Sequence, residues 1–228
     1  MSDKENVVKE GATGQEKESR FLKFVRGKGI MNLPNQLTIL RVLLIPLFVV
    51  FFYVQFSGHY FVALAVFAIA SFTDFLDGHL ARKYKLITNL GKFLDPVADK
   101  ILVSAAMILM LTVPGFFTTY TGSWALICAG CCVALILARE LMVSGFRMVA
   151  ADAGIVIAAD KIGKVKTVSQ MVSLILLLVW AGLYEFIPTS VVSNVVNFAG
   201  LGFFALATLL TVISGVNYII KNIEVLKR

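Results

Sequence analysis

Six long apolar stretches divide this chain, and its cations are confined almost entirely to alternate gaps between them. The stretches run over Leu37–Phe56, Tyr60–Tyr84, Asp95–Val113, Ser123–Ala150, Val165–Tyr184 and Val191–Ile220. A helix rises about 1.5 Å per residue, so roughly 20 apolar residues cross the hydrocarbon of a bilayer. With 58% hydrophobic and 15% charged residues, a soluble domain of this length would leave large apolar patches in water. The residues do not alternate as barrel strands do, so the expected class is an all-α integral membrane protein with six transmembrane helices. The second, fourth and sixth stretches exceed the hydrocarbon thickness, and their ends are expected to reach into the interface or beyond it.

Charge sets the orientation. Of 21 Lys and Arg, seven precede Leu37, five lie from Arg82 to Lys100, five from Arg139 to Lys166 and three follow Ile220; the last is Arg41. Connections 114–122 and 185–190 carry none. Six spans with both termini cytoplasmic satisfy the positive-inside rule at every connection. Trp124 and Tyr120 then fall at the outer face, where an interfacial belt and a packing role are equally good readings. The polar, mixed-charge N-terminus lacks the pattern of a cleaved signal peptide, so the first span is expected to act as an uncleaved insertion signal. Residues 1–19 read as a disordered polar tail. Residues 20–30, with RFLKFVRGK over Arg20–Lys28, read as an amphipathic helix on an anionic lipid surface or as a solvated basic linker. Residues 31–228 form the transmembrane domain. Cys128, Cys131 and Cys132 have no further Cys or His for company and read as small core residues. Arg41 reads as snorkelling to the interface, with contact to a bound ligand as the other option.

Four acids stand where a hydrophobic pattern alone would not put them: Asp74, Asp77, Asp95 and Asp99. Charge near membrane depth is costly and faces a partner or a wet cavity. Asp74 and Asp77 are three apart and share one helix face; Asp95 and Asp99 are four apart and share another. A hairpin through the basic turn between the pairs would bring all four to the cytoplasmic end. Pro96 fits a helix starting at Asp95, or a helix that begins near Thr88 and tolerates the proline. Four facing carboxylates repel unless cations join them, and hard oxygen ligands suit Mg²⁺ or Mn²⁺, in a two-ion arrangement for phosphoryl displacement. Ion pairing with Arg82, Lys92 and Lys100 is the plain alternative.

The surrounding spacing decides between these. Asp74-Phe-Leu-Asp77-Gly78-His-Leu-Ala81-Arg82, eight residues, Gly91, three residues, Asp95, three residues and Asp99 resembles the full signature of the CDP-alcohol phosphotransferase family, with all eight defining positions matched. The resemblance implies a six-helix fold in the bacterial inner membrane, a homodimer, and an active site open to the cytoplasm. It implies that Asp74, Asp77 and Asp95 hold metal, and that Asp99 is a metal ligand, the general base, or both. Asp77, Gly78, Ala81, Arg82 and Gly91 would border the CDP moiety. His79 occupies a variable motif position and takes no role.

The acceptor is addressed by other stretches. Asn32-Leu-Pro-Asn35-Gln-Leu-Thr38-Ile-Leu-Arg41, the run from Thr88 to Lys100, Ala138-Arg139-Glu140 and Ile162-Gly-Lys164-Val-Lys166-Thr167 are similar to the bacterial branch of that family whose acceptor is sn-glycerol 3-phosphate. The implied reaction moves the phosphatidyl group of CDP-diacylglycerol to that alcohol and releases CMP, among membrane lipids and without nucleic acid. Arg139, Arg147, Lys161, Lys164 and Lys166 gather on the cytoplasmic side, where they suit the dianionic phosphate or simply set topology. Arg139 is favoured because Glu140 can orient it. Asn35 and Thr38 either cap the first helix or line the site.

Three rivals differ in what they require. Another member of the family would use inositol phosphate, serine or phosphatidylglycerol. An intramembrane prenyltransferase would carry two Asp-rich motifs on distant helices. A cation transporter would spread its acids across the membrane depth, whereas these cluster at one face.

Overall fold

The computed structural model describes residues 33–84, 89–152, 161–188 and 190–222; the expected tail and amphipathic segment at residues 1–30 lie outside them. Seven helices occur among the described residues: α1 (Leu33–Tyr53), α2 (His59–Tyr84), α3 (Asn89–Thr112), the short α4 (Gly115–Thr118), α5 (Trp124–Asp152), α6 (Lys161–Phe186) and α7 (Val191–Asn222). No strand is found among the described residues. Each of the six apolar stretches coincides with one long helix. Five of those helices are long and apolar enough to cross a membrane, in α1, α2, α5, α6 and α7; the apolar part of α3, Lys100–Thr112, is shorter. The chain is a membrane protein.

Backbone hydrogen bonding inside helices is what allows such segments to exist in lipid. Pro46 sits within α1, where its missing N–H leaves one carbonyl of the preceding turn without its helical donor. Gly58 and Gly122 both adopt φ of +81°, a left-handed conformation that only glycine enters without strain. Gly58 turns the chain from α1 into α2 and donates its N–H to Glu185 Oε1 at 2.9 Å. Helix α3 begins at Asn89, so Asp95 is not its first residue, and Pro96 lies about two turns inside it.

Two compact units divide the chain. One comprises the described residues of Met1–Pro46 and Ile69–Asp99; the other comprises those of Leu47–Ala68 and Lys100–Arg228. The second unit is packed by rings. Phe52 stacks on Phe116 at 5.8 Å, and Phe116 meets Trp180 edge-on at 5.6 Å. Phe48 lies 5.7 Å from Phe67. Such pairs add about 0.5–1.5 kcal/mol each beyond their buried area.

Lipid tails are as apolar as leucine, so close packing and polar contacts hold membrane helices together. Helices α6 and α7 approach at Gly200, where a Cβ would fall 2.9 Å from Leu177 Cδ2. Ser173 Oγ donates to the Gly200 carbonyl at 2.8 Å. Gln170 and Asn197 are buried and donate to Met107 Sδ and to the Phe116 carbonyl. The cysteines correct an expectation: Cys128 and Cys131 are exposed and Cys132 half-buried. They lie on a side of α5 that its neighbouring helices leave largely uncovered. Trp124 is 78% exposed, as an interfacial residue is, while Tyr120 packs against Trp180 and Phe198.

Candidate functional site

In the first unit, α1 and α2 each present a polar stripe at helical spacing. Asn35, Thr38 and Arg41 recur every three residues along α1, and all three are buried. On α2, Asp74 and Asp77 are also three apart and therefore share a face. The two stripes meet. Arg41 Nη1 lies 2.6 Å from Asp74 Oδ1, and Arg41 Nη2 contacts Asp77 Oδ2. Thr38 Oγ1 donates to that same Asp77 oxygen at 3.3 Å.

Burial makes this arrangement costly to break. Arg41 is 0% exposed and Asp77 3%, whereas Asp74 remains 40% open. An unpaired charge buried as deeply as Arg41 or Asp77 would cost several kcal/mol, so those two require one another, while water screens the half-open Asp74. The planar fork of arginine suits two acceptors at a fixed separation. Arg41 is therefore not a snorkelling side chain: it points into the protein and pairs with the acid face. Thr38 lines the site rather than capping the helix, because α1 begins at Leu33, ahead of it.

The chemistry of the donor set fits a hard divalent cation. Two carboxylates share one face, and each has two oxygens with about four lone-pair directions between them. Asp95 and Asp99 lie on the backbone of α3, but their side chains fall outside the described residues, as do those of Ala81, Arg82 and Gly91. Gly78, beside Asp77, is half-buried.

The expected phosphate-binding cations lie on α5 and α6 in the second unit. Lys166 is fully buried and ion-paired with Glu140. Arg139 lies only 3.9 Å from the same carboxylate oxygen, Glu140 Oε1, and its buried Nε has no hydrogen-bond partner among the described residues. Glu140 thus anchors Lys166 first and Arg139 weakly. Arg139 threads between two glycines: a Cβ at Gly215 would stand 3.2 Å from its Cγ, and one at Gly163 3.4 Å from Nη2. It also borders a cavity of about 240 Å³ between α5 and α7, with Leu135, Met142, Val212 and Ile219 on the walls. Arg147 and Lys164 are exposed, and the side chain of Lys161 is outside the described residues.

Sequence reading missed the Arg41 link and the partner of Lys166. The first had a signal: the three-residue stripe on α1 has the same spacing as the acid pair on α2. The second had none, because Glu140 and Lys166 are 26 positions apart and meet only through helix packing.

Comparison with known proteins places these motifs. The model of the CDP-alcohol phosphatidyltransferase family matches residues 31–213. A Bacillus subtilis protein named CDP-diacylglycerol–glycerol-3-phosphate 3-phosphatidyltransferase is 39% identical over 210 residues, covering 87% of this chain and 98% of the relative. Proteins of the same name from Salmonella paratyphi A and Escherichia coli K12 are 39% and 38% identical over 190 residues, each covering 82% of this chain and 93% of the relative. Both the aspartate signature and these matches lead to one assignment: the chain belongs to the CDP-alcohol phosphatidyltransferase family.

Proposed function

We propose that this protein transfers the phosphatidyl group of CDP-diacylglycerol to sn-glycerol 3-phosphate, giving phosphatidylglycerophosphate and CMP. The observation that carries the reading is 38–39% identity, over four fifths of the chain or more, to relatives named for that reaction, in a chain that keeps all eight signature positions. The chain is a phosphotransferase of phospholipid synthesis. Its six helices all span a bacterial inner membrane, both termini lie in the cytoplasm, and the site opens there. The distribution of Lys and Arg supports that orientation. A homodimer is the working assembly.

Family membership supports dependence on a divalent metal. Asp74, Asp77, Asp95 and Asp99 would hold it, as two Mg²⁺ or Mn²⁺ ions. When bound, such ions stabilise charge on the attacking and leaving oxygens of a phosphoryl displacement. The chain's own groups do the rest. Asp99 takes the proton of the acceptor hydroxyl as its oxygen bonds to the lipid-bearing phosphorus. The bond from that phosphorus to the CMP oxygen breaks in line, and Arg82 faces the charge that develops on the departing CMP. Gly78, Ala81 and Gly91 leave room beside the nucleotide. Arg139 is the first choice for the acceptor phosphate, because its partner is distant and one nitrogen is unsatisfied, with Arg147, Lys161 and Lys164 around it. Lys166 contributes by fixing Glu140.

The test is CMP release from CDP-diacylglycerol by the purified protein, with each acceptor supplied in turn. Glycerol 3-phosphate is expected to support turnover and to give phosphatidylglycerophosphate. Turnover with inositol phosphate, serine or phosphatidylglycerol but not with glycerol 3-phosphate would overturn the acceptor assignment and leave the family intact.

A further inference from the structure

We infer that Arg41 is a positioning residue of the metal site: it fixes the Asp74 and Asp77 carboxylates in the orientation in which a divalent cation takes them. This rests on the proposed role of those aspartates as ligands. Three observations carry it. Arg41 is wholly enclosed, so its charge is committed to the protein rather than to water or headgroups. Its two terminal nitrogens go to different carboxylates, Nη1 to Asp74 Oδ1 and Nη2 to Asp77 Oδ2. Thr38 Oγ1 adds a second donor to that Asp77 oxygen.

Each observation has a physical consequence. Two carboxylates on one helix face repel, and left alone they would rotate apart or take up a proton. A guanidinium is planar and rigid, so an ion pair to each acid at once restrains their separation as well as their charge. With Asp77 Oδ2 held by two donors from α1, rotation about the Asp77 side chain is blocked. Each contact uses one oxygen of a group that has two, and a carboxylate accepts more bonds than these. Outer-shell partners of this kind orient ligands, and their loss costs about 10–100-fold in metal affinity or activity. Lysine could not replace the arginine fully, because one ammonium cannot hold two carboxylates at a set distance.

The experiment titrates Mn²⁺ into the full-length protein in detergent and follows the free-ion electron paramagnetic resonance signal, with thermal unfolding in EDTA as the check on folding. Arg41→Gln is expected to raise the Mn²⁺ Kd by about 10–100-fold. Arg41→Lys should fall between it and the parent protein, and Thr38→Val should shift Kd several-fold. If Arg41→Gln does not fold, Arg41→Lys and Thr38→Val carry the test. Unchanged affinity in the folded variants would overturn the positioning role, and tighter binding would make Arg41 a competitor of the cation instead. If the parent protein binds no Mn²⁺ and Asp77→Asn behaves like it, the metal reading itself fails, and this inference with it.

Discussion

Each of the two units contains a cluster of buried charge, and the clusters are opposite in sign. In the first, one arginine stands between two carboxylates, Asp74 and Asp77. In the second, one carboxylate, Glu140, faces two cations, Lys166 closely and Arg139 at 3.9 Å. Both clusters offset part of their own charge, as groups inside apolar helices must. Among the described residues, acids outnumber cations in the first and cations outnumber acids in the second. A surplus of carboxylate suits a cation; a surplus of guanidinium suits a phosphate. The second cluster also separates its duties, since Lys166 is locked by Glu140 while Arg139 keeps only a 3.9 Å contact to it. The difference teaches that burial alone does not distinguish a structural ion pair from a binding group; the number and distance of partners does.

Substitutions can break that comparison on either side. The largest effect is expected on the acid side, where Asp99→Asn should lower CMP release on the order of 10³-fold, the range for a lost general base, with unchanged thermal unfolding. Retained turnover would remove Asp99 from the role of base. On the basic side, Lys166→Met strands the Glu140 carboxylate and should cost about 3 kcal/mol, read as a lower unfolding temperature in detergent. Adding Glu140→Gln to that variant should restore much of the loss, because an uncharged pair needs no counter-ion. The smallest effect sharpens the division of labour: Arg139→Gln should raise KM for glycerol 3-phosphate about tenfold, or about 1.4 kcal/mol, with KM for CDP-diacylglycerol and the unfolding temperature unmoved. An unfolding temperature that falls as far as in Lys166→Met would make Arg139 structural as well.

Much of this was legible in the sequence because the bilayer leaves so few choices. Apolar length alone fixed six helices, since lipid forbids exposed backbone polar groups. The acid pair on α2 was legible for a related reason: a charge such as Asp77 has no business in an apolar helix without a task or a partner. What was not legible depends on which helices meet. Arg41 read as snorkelling because snorkelling needs only its own helix, whereas its real partners lie 33 and 36 positions further on. The pairing of Lys166 with Glu140 was hidden by the same distance. The cysteines misled because hydropathy cannot tell an exposed side of an apolar helix from a packed one. Helix α3 began earlier than one of its two expected starts, since Pro96 marked a boundary that the backbone passed through.

Arg41 also bears on how the protein is made. Helix α1 leaves the ribosome with a cation embedded among Leu, Ile and Val, and such a helix is a poor substrate for lipid until the charge is answered. The answer is carried by α2. Until the second helix is made, Arg41 has neither acid to pair with, and its long side chain must reach for the interface instead.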